Sequence, residues 1–283
     1  MTEQEPWTHH EDIVNGIRLH WVEQGEGPLV VLLHGFPEFW YSWRHQIPAL
    51  AARFRVVAPD MRGYNLSEKP PKGYDPQTLT DDVRALIEHL GHQRAVIVGH
   101  DWGGLIAWAF AIRFPEATET LVILNAPHPG RFMEAVRTPR QALRSSYVLL
   151  FRTPGLSELL LGANRCWALA RGMRRSAVNK DAFPDEVLER YREAMSRPGA
   201  LTAALKYYRH ASLSKLPPDL SVRAPTLILW GEHDQALGRE LTEGLERWVP
   251  DLTVRYLDCG HWTQQERPEE VNRALLEFLD RTG

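Results

Sequence analysis

The stretch that decides the fold of this chain is AVIVGHDWGG, residues 95–104. Its first four residues are apolar and three of them are β-branched, a pattern typical of a short strand buried on both faces. A helical pattern follows, with apolar residues three or four positions apart at Leu105, Trp108, Ala109 and Ile112, and Pro115 lies just beyond it. The sequence therefore predicts a strand, a sharp turn and a helix in direct succession.

The turn between this strand and this helix has the spacing Gly-x-Asp-x-Gly-Gly, with Asp101 at its centre. This is the spacing of a nucleophile elbow, in which a tight turn lifts one side chain above the end of a parallel sheet. Glycine is needed there because the two backbones approach closely and φ and ψ are strained. Asp101 could instead cap a helix that begins at Trp102, but a cap does not require glycine on both sides. We predict that Asp101 is a nucleophile, in the place that Ser usually occupies.

Strand patterns alternate with helical patterns on both sides of the elbow. A hairpin is predicted around Asn15-Gly16, between strands at 9–14 and 17–22. Buried strands are predicted at 29–33, 56–58, 121–124, 226–230 and 253–257. Helices are predicted at 42–53, from Thr78 or Thr80 to Leu90, near 239–249, and from Pro268 onward. This alternation indicates an α/β fold with a mostly parallel, twisted sheet that helices cover on both faces.

The alternation is interrupted between residues 128 and 218, where helical segments are separated by prolines and no strand pattern is evident. About 90 residues are too many for a connecting loop, so we expect a folded insertion. The predicted organisation is an α/β core formed by residues 1–127 and 219–283, with a helical cap, or lid, formed by residues 128–218.

Composition and charge exclude several classes of protein. The chain has 283 residues and a net charge of −3, with acidic and basic residues interspersed, so we expect neither a nucleic-acid partner nor a membrane partner. The basic run at 165–175 is interpreted as a solvated helix face. The N-terminus is polar and acidic, unlike a secretory signal, and two cysteines are too few for a disulfide framework. A cytoplasmic location is the expectation.

Chemistry-bearing residues follow four of the predicted strands, at the edge where parallel sheets bind ligands. Beyond Asp101, the segment HGFP at 34–37 can aim the Phe36 N–H, together with that of Trp102, at one oxyanion. Asp234 follows the strand at 226–230 and His261 follows the strand at 253–257. The order nucleophile, acid, histidine is that of an α/β-hydrolase triad. We predict Asp234 as the acid and His261 as the base.

Other residues near these strand ends compete for the same roles. His233 is a rival base and Asp258 a rival acid, although we expect the first to be exposed and the second to form a turn or cap. Cys259 lies two residues before His261 and is interpreted as a small inert residue rather than a thiol nucleophile. His34 can equally serve as a structural donor to neighbouring loops.

Three of these segments resemble the signatures of soluble epoxide hydrolases, a family of the α/β-hydrolase fold. They are VLLHGFPEFWYSWR at 31–44, GHDWGG at 99–104 and DCGHWTQ at 258–264. The resemblance extends into the insertion, where the cap of that family carries two ring-opening tyrosines. The segment around Tyr147 is similar to the first of these, and KYYR at 206–209 is similar to the second, with Tyr208 as the match. We expect the substrate pocket to include His34, Pro37, Trp102 and Trp262.

The resemblance implies a two-step reaction. A carboxylate, with a reference pKa of about 3.9, is ionised at neutral pH and can attack a saturated carbon without a base. Tyr147 and Tyr208 would protonate the oxygen of the opening ring. His261, oriented by Asp234, would then activate water against the ester on Asp101, and a vicinal diol would leave. The expected partners are a small apolar epoxide and water, with no metal and no organic cofactor, in a monomer or homodimer.

Two alternatives stay open at this point. A hydrolytic dehalogenase of the haloalkane or haloacid type uses the same Asp, His and elbow. Haloalkane dehalogenases, however, favour a polar residue at the position of Phe36, and fluoroacetate dehalogenases favour Arg at the position of Trp102. The second alternative is a small-ligand binding protein without catalysis. The complete set of predicted catalytic residues argues against it. A carboxylesterase would need Ser or Cys at position 101.

Overall fold

The computed structural model describes residues 6–211 and 217–282, and within them eight strands form one sheet. The sheet has the order β1-β2-β4-β3-β5-β6-β7-β8. Strands β3 to β8 are parallel to one another, whereas β2 is antiparallel to both β1 and β4 at one edge of the sheet. The predicted α/β architecture with a mostly parallel sheet is confirmed. The strands are β1 (Thr8–Val14), β2 (Ile17–Gln24), β3 (Leu29–Leu33), β4 (Arg55–Pro59), β5 (Ala95–His100), β6 (Thr118–Leu124), β7 (Thr226–Gly231) and β8 (Leu252–Leu257).

The predicted hairpin between β1 and β2 is confirmed. Its two turn residues, Asn15 and Gly16, have φ values of 49° and 73°. A two-residue turn that matches the twist of its strands requires a positive φ at both positions, and Asn followed by Gly meets this requirement with least strain.

Eleven α-helices are described, and they cover both faces of the sheet. In β3, Val31 and Leu33 pack into one apolar cluster, whereas Val30 and Leu32 pack into the cluster on the opposite face. This alternation explains why the strand is apolar throughout. The helices are α1 (Gln46–Ala51), α2 (Pro76–His89), α3 (Trp102–Arg113), α4 (Pro129–Ala135), α5 (Pro139–Arg144), α6 (Tyr147–Phe151), α7 (Leu156–Ser176), α8 (Asp185–Ser196), α9 (Ala200–His210), α10 (Thr263–Glu266) and α11 (Pro268–Thr282).

Helix α2 begins earlier than the sequence pattern predicted. Its N-cap is Asp75, whose side chain accepts a hydrogen bond from the Thr78 N–H, and Pro76 occupies the first helical position. The prediction of Thr78 or Thr80 as the cap was wrong, because both residues lie inside the first turns, where the Thr80 hydroxyl bonds back to the Pro76 carbonyl. The predicted end is confirmed at Gly91, whose φ of 83° cannot continue the helix.

Two other helix predictions need correction. The segment predicted as one helix over 42–53 is a short 3₁₀ helix, Trp40–Trp43, followed by α1. Pro48 explains the division, since proline is tolerated in the first turn of an α-helix but not in its interior. The helix predicted near 239–249 is a 3₁₀ helix at Arg239–Thr242. Gly244 has a φ of 68°, which ends helical geometry before a second turn can form.

Between β6 and β7 the described residues form six helices, α4 to α9, and no strand. Residues 212–216 of this segment lie outside the described ranges. Helix α7 is interrupted at residues 163–166, where Asn164, Arg165 and Cys166 adopt a positive φ. Within the described ranges no helix combines the length and the hydropathy needed to cross a membrane. The exact division into a core and a cap at 128–218 stays a prediction.

Candidate active site

The residue at the centre of the elbow, Asp101, connects β5 to α3 with a strained backbone. Its φ is 49° and its ψ is −117°, a conformation that L-residues rarely adopt. The flanking glycines make the turn possible, since a Cβ at Gly99 would collide with the Gly103 carbonyl and a Cβ at Gly103 with the Leu33 carbonyl. The Asp101 side chain makes no capping hydrogen bond to α3. The geometry therefore argues against the alternative that Asp101 simply caps the helix.

The two carboxylate oxygens of Asp101 have different surroundings. Oδ1 accepts a hydrogen bond of 2.8 Å from the Phe36 N–H, and Oδ2 lies 3.6 Å from Nε2 of His261. Burial alone would raise the pKa of Asp101, but the nearby His261 ring and the Phe36 N–H outweigh it and hold the pKa below its usual value. Asp101 is therefore ionised at neutral pH. Among the described contacts, Oδ2 accepts no hydrogen bond from a backbone N–H.

His261 is held from its other side by Asp234. Nδ1 of His261 lies 2.7 Å from Oδ2 of Asp234, while Oδ1 of Asp234 accepts hydrogen bonds of 2.8 and 3.0 Å from the N–H groups of Ala236 and Leu237. Burial raises the pKa of Asp234, but the charge and hydrogen bond of His261, together with the Leu237 N–H, outweigh this effect, so the net shift of the pKa is downward. The carboxylate fixes the ring orientation and leaves Nε2 facing Asp101.

Burial alone would lower the pKa of His261. The negative charges of Asp234 and Asp101 on its two sides outweigh this effect and raise the pKa well above its usual value. The two carboxylates therefore favour the protonated form of the ring at rest, and the loss of either negative charge would lower the pKa of His261.

Asn125 supports this arrangement and was not predicted from the sequence as a site residue. Its Nδ2 donates a 2.8 Å hydrogen bond to Oδ2 of Asp234, and its Oδ1 accepts from the Gly231 N–H at 3.0 Å and from the Thr263 hydroxyl. Asn125 follows β6 directly and has a φ of 41°, a conformation that Asn adopts more readily than most residues. Its place at a strand end was the signal that could have identified it.

A second acid–histidine pair lies beneath the site and was also missed. Glu38 and His100 are fully buried, and Oε2 of Glu38 lies 2.8 Å from Nδ1 of His100. Nε2 of His100 lies 2.9 Å from the carbonyl oxygen of His261, and Gln264 and Gln265 donate to Oε1 of Glu38. Burial raises the pKa of Glu38, but the charge of His100 and its hydrogen bonds lower it overall. The pair connects the loop after β3 with the loop that carries His261.

The two predicted tyrosines face each other across the pocket. Tyr147 begins α6 and Tyr208 lies in α9, and their ring centroids are 6.5 Å apart. Burial and the charge of Asp101 raise the pKa of both hydroxyls, so both are neutral donors throughout the physiological range. Tyr207 has a different role: it is fully buried and its hydroxyl donates to the Arg62 carbonyl at 2.9 Å. The prediction of Tyr208 over Tyr207 agrees with these positions.

Two cavities meet at Asp101, Tyr147 and Tyr208, which line both of them. The first, which we call the α7 cavity, has a volume of about 320 Å³. The second, the α3 cavity, has a volume of about 250 Å³ and a largely apolar wall. A larger cleft of about 850 Å³ between α7 and α8 lies away from Asp101 and has many charged residues. The α7 cavity also includes Phe36, Pro37, Leu161, Ala168, Leu169, Gly172, Met173, Asp234, His261 and Trp262; the α3 cavity includes Trp102, Leu105, Ile106, Asn125, Phe132, Val148 and Arg152.

The predicted pocket residues therefore divide into two groups. Pro37, Trp102 and Trp262 line these cavities, as expected. His34 lies behind them: it is fully buried, its Nδ1 is 2.9 Å from the Gly35 carbonyl oxygen, and its Nε2 accepts from the Met61 N–H at 3.0 Å. Burial lowers the pKa of His34, which keeps the ring neutral. The expectation that His34 lines the pocket is corrected, because its contacts are those of a structural residue.

The competing residues have contacts elsewhere. His233 and Asp258 are exposed and pair with each other, Nε2 to Oδ1 at 2.8 Å, and Asp258 also approaches Arg267. Cys259 is fully buried, and burial raises the pKa of its thiol to about 12, which disfavours the reactive thiolate. Neither the rival acid nor the rival nucleophile lies among the groups around Asp101.

Comparisons with known proteins agree with this geometry. Residues 28–268 match the family model of the alpha/beta hydrolase fold. The AB hydrolase superfamily protein YfhM of Bacillus subtilis is 42% identical, over 94% of this chain and 95% of its own length. Epoxide hydrolase 4 of Homo sapiens is 38% identical, over 94% of this chain and 76% of its own length. The crystal structure of an epoxide hydrolase from Bacillus megaterium in complex with an inhibitor superposes with a TM-score of 0.89 at 34% identity, covering 96% of this chain and all of that one. The chain therefore belongs to the epoxide hydrolase family within the α/β-hydrolase fold.

Proposed function

We propose that this protein hydrolyses epoxides to vicinal diols through a covalent ester on Asp101. One observation carries the proposal: an ionised carboxylate at the elbow shares its pocket with two neutral tyrosine hydroxyls, Tyr147 and Tyr208. A carboxylate can displace oxygen at a saturated carbon, and the alkoxide that forms requires a nearby proton donor. Several relatives that bear the name epoxide hydrolase support the same activity.

In the first step, Oδ2 of Asp101 attacks one carbon of the epoxide ring. The Phe36 N–H holds Oδ1 and so fixes the plane of the carboxylate. The breaking C–O bond leaves its electron pair on the former ring oxygen, which accepts a proton from Tyr147 or Tyr208. The resulting phenolate is reprotonated before the next turnover. The product of this step is a hydroxyalkyl ester of Asp101.

In the second step, water attacks the carbonyl carbon of this ester. Esterification removes the negative charge of Asp101, and with it one of the two charges that raise the pKa of His261. The ring can then give its proton to the phenolate left by the first step and accept one from water at Nε2, while Asp234 stabilises the new imidazolium. The tetrahedral intermediate collapses as its bond to the diol oxygen breaks. The remaining proton of the water passes to that oxygen, and the diol leaves Asp101 as a carboxylate. The Phe36 N–H stabilises the oxyanion, with the Trp102 N–H at the start of α3 as the proposed second donor.

The dehalogenase alternative has less support. A departing halide requires hydrogen-bond donors, and the resemblance to haloalkane dehalogenases would place a polar residue at the position of Phe36. Phe36 contributes its ring to the wall of the α7 cavity and packs against Phe151 and Tyr208, with centroids 5.4 Å apart in each case. An apolar ring at this position offers no hydrogen bond to a halide, so the surroundings of Asp101 favour epoxides.

The test is a comparison of two substrates of similar size, an aryl epoxide and a 1-haloalkane, with the wild type and Asp101→Ala. We expect the wild type to form diol from the epoxide and to release little halide from the haloalkane. Asp101→Ala removes a catalytic group, so it should form diol at least about 10³-fold more slowly. Halide release as fast as diol formation would favour the dehalogenase, and no turnover of either substrate would favour a binding protein.

A further inference from the structure

Large apolar side chains that remain exposed are concentrated in one part of this molecule. Among the described residues there are eleven, and ten of them lie between positions 133 and 178, including Tyr147 of the pocket. The most exposed are Leu143 at 77%, Leu149 at 73% and Leu159 at 71%. The remaining one, Ile13, lies on the β1–β2 hairpin. Single exposed apolar residues are ordinary, but a contiguous group marks an interaction surface.

Helix geometry directs these side chains to the outside of the cap. Leu156, Leu159 and Leu160 are spaced three and four positions apart, so they share one face of α7, and all three are exposed. Ser157 on the inner face is fully buried. In α5, Leu143 points outward while Gln141 is buried. An ordinary surface helix keeps its apolar stripe toward the core and exposes polar residues on its outer face.

The same segment is strongly basic. Residues 133–178 contain eight arginines, two glutamates and neither lysine nor aspartate, a net charge of +6. Since the whole chain carries −3, the remainder carries −9. The charges are therefore less evenly interspersed than the expectation of no membrane partner assumed. Arg137 is exposed and forms no ion pair with any residue in the described ranges, and Arg140, which is 72% exposed, only approaches Glu240 at 3.9 Å. We call the exposed leucines at 143, 149, 156, 159 and 160, together with Arg137 and Arg140, the cap face.

We propose that the cap face docks the enzyme onto an anionic lipid surface. Leucines that insert at the level of the headgroups and arginines that meet anionic phosphates are the two components of interfacial binding. A second copy of the chain is a poorer occupant, because a symmetric dimer would bring the exposed arginines of two cap faces together. The negative remainder of the molecule would be repelled by the same lipid surface, so the charge distribution also orients the molecule with its cap toward it.

The position of the cap face relative to the pocket gives docking a consequence for substrate supply. Helix α7 presents leucines outward and also lines the α7 cavity through Leu161, Leu169 and Met173. A docked molecule would therefore hold the wall of its pocket against the bilayer, where apolar compounds concentrate. The docking itself goes beyond the proposed function and does not depend on it, since vesicle binding is measured without turnover.

The experiment is co-sedimentation of the full chain with vesicles of phosphatidylcholine alone or mixed with an equal part of phosphatidylglycerol. We expect binding to the mixed vesicles, little binding to neutral ones, and weaker binding at high salt, because salt screens exposed charges. The same titrations with the double variant Arg137→Gln/Arg140→Gln should show about 25-fold weaker binding, at about five-fold per arginine near an anionic surface. Leu143→Ser/Leu159→Ser should weaken it by about ten-fold or more.

Two control variants carry equivalent changes elsewhere on the surface. Ile13→Ser removes an exposed apolar side chain from the hairpin, and Arg273→Gln removes an exposed arginine from α11. Both should bind as the wild type does, and all four variants should keep wild-type turnover of a water-soluble epoxide. Absence of binding to mixed vesicles at low salt, or equal losses in the controls, would overturn the proposal. So would a dimer, seen by sedimentation velocity, that Leu143→Ser/Leu159→Ser dissociates.

Discussion

Single hydroxyl groups decide the first chemical step in this account. Phenylalanine in place of Tyr147 or Tyr208 removes a proton donor from the epoxide oxygen and leaves the pocket shape nearly intact. A positioned acid contributes about 10²- to 10⁴-fold, and two donors to one oxygen are partly redundant. We therefore expect each single variant to slow ester formation near the lower end of this range, and the double variant to slow it far more. Rapid-quench measurement of the covalent intermediate gives the rate.

The control for these variants is Tyr207→Phe. This residue neighbours Tyr208, but its hydroxyl donates to the Arg62 carbonyl outside the pocket. Ester formation should proceed at the wild-type rate, with stability lowered by about 1 kcal/mol for the lost buried hydrogen bond. A double variant of Tyr147 and Tyr208 that forms the ester at the wild-type rate would show that the two rings merely pack.

The two steps should respond differently to pH. Because the pKa of Asp101 is lowered, the carboxylate stays ionised across the neutral range and ester formation should vary little there. Ester hydrolysis requires neutral His261, so its rate should rise with pH. The pKa of His261 is raised in the resting site partly by Asp101, and the ester removes that charge. The midpoint for hydrolysis should therefore lie below the pKa of His261 in the free enzyme.

Single-turnover kinetics over a pH series, with the His261 titration of the free enzyme followed by NMR, measures both quantities. A hydrolysis rate that falls as pH rises would contradict the role of His261 as a base. So would a midpoint at or above the resting pKa, since it would mean that Asp101 keeps its charge during the second step.

The residues that sequence patterns identified are those at strand ends with a characteristic spacing. Asp101, Asp234 and His261 each follow a predicted strand, so their proximity followed from the geometry of a parallel sheet. Glu38, His100 and Asn125 were missed because their importance lies in partners that are 62 to 227 residues distant in sequence, as in the contacts of Glu38 with His100 and with Gln265. No local pattern contains such a pairing.

At the scale of elements, the close contact of β3 and α3 at the elbow depends on glycine. A methyl group at Gly103 would overlap the backbone of Leu33 and His34, whereas a methyl group at Gly172 in α7 meets open space. We expect Gly103→Ala to lower the free energy of unfolding by about 1–3 kcal/mol through forced displacement of backbone. Gly172→Ala should be neutral or stabilising by up to about 1 kcal/mol. Urea denaturation of both variants tests this, and equal effects would contradict the packing described.

Element boundaries were predictable where one residue sets them. Gly91 ends α2 and Pro268 begins α11, as predicted. The start of α2 and the segment after β7 were not predictable in this way, because each contains several residues that can begin or end a helix. Asp75, Thr78 and Thr80 can all cap a helix, and the choice of Asp75 follows from Pro76 in the first helical position.

The whole molecule joins two chain segments that are distant in sequence. β6 pairs with β7 in parallel, with Leu121 opposite Thr226, so the chain leaves the sheet, forms the cap helices and returns to the adjacent position. The return brings His261 next to Asp101. The sequence predicted that these pieces share a sheet, but the strand order and the outward-facing leucines depend on tertiary packing, which a single sequence does not contain.

The two cavities that meet at Asp101 have consequences for substrate shape. A terminal epoxide has one substituent and needs one cavity, whereas a trans-disubstituted epoxide needs both. Val148→Trp would narrow the α3 cavity, and Ala168→Trp the α7 cavity. We expect each variant to reduce kcat/KM for a trans-disubstituted epoxide by about 10- to 200-fold, the effect of a few mismatched methylenes. For a terminal epoxide, kcat/KM should fall less in at least one of the two variants. Equal reductions of kcat/KM for both substrates in both variants would contradict a two-cavity site.

The measurement that tests the central claim most directly is the intact mass of His261→Gln after exposure to an epoxide. If Asp101 attacks first and His261 is needed only to activate water, this variant should consume about one equivalent of epoxide and accumulate as an ester. Its mass should rise by the mass of the substrate, and peptide mapping should locate the adduct on Asp101. If the variant forms no adduct while the wild type still produces diol, water attacks the epoxide directly and the covalent mechanism is wrong.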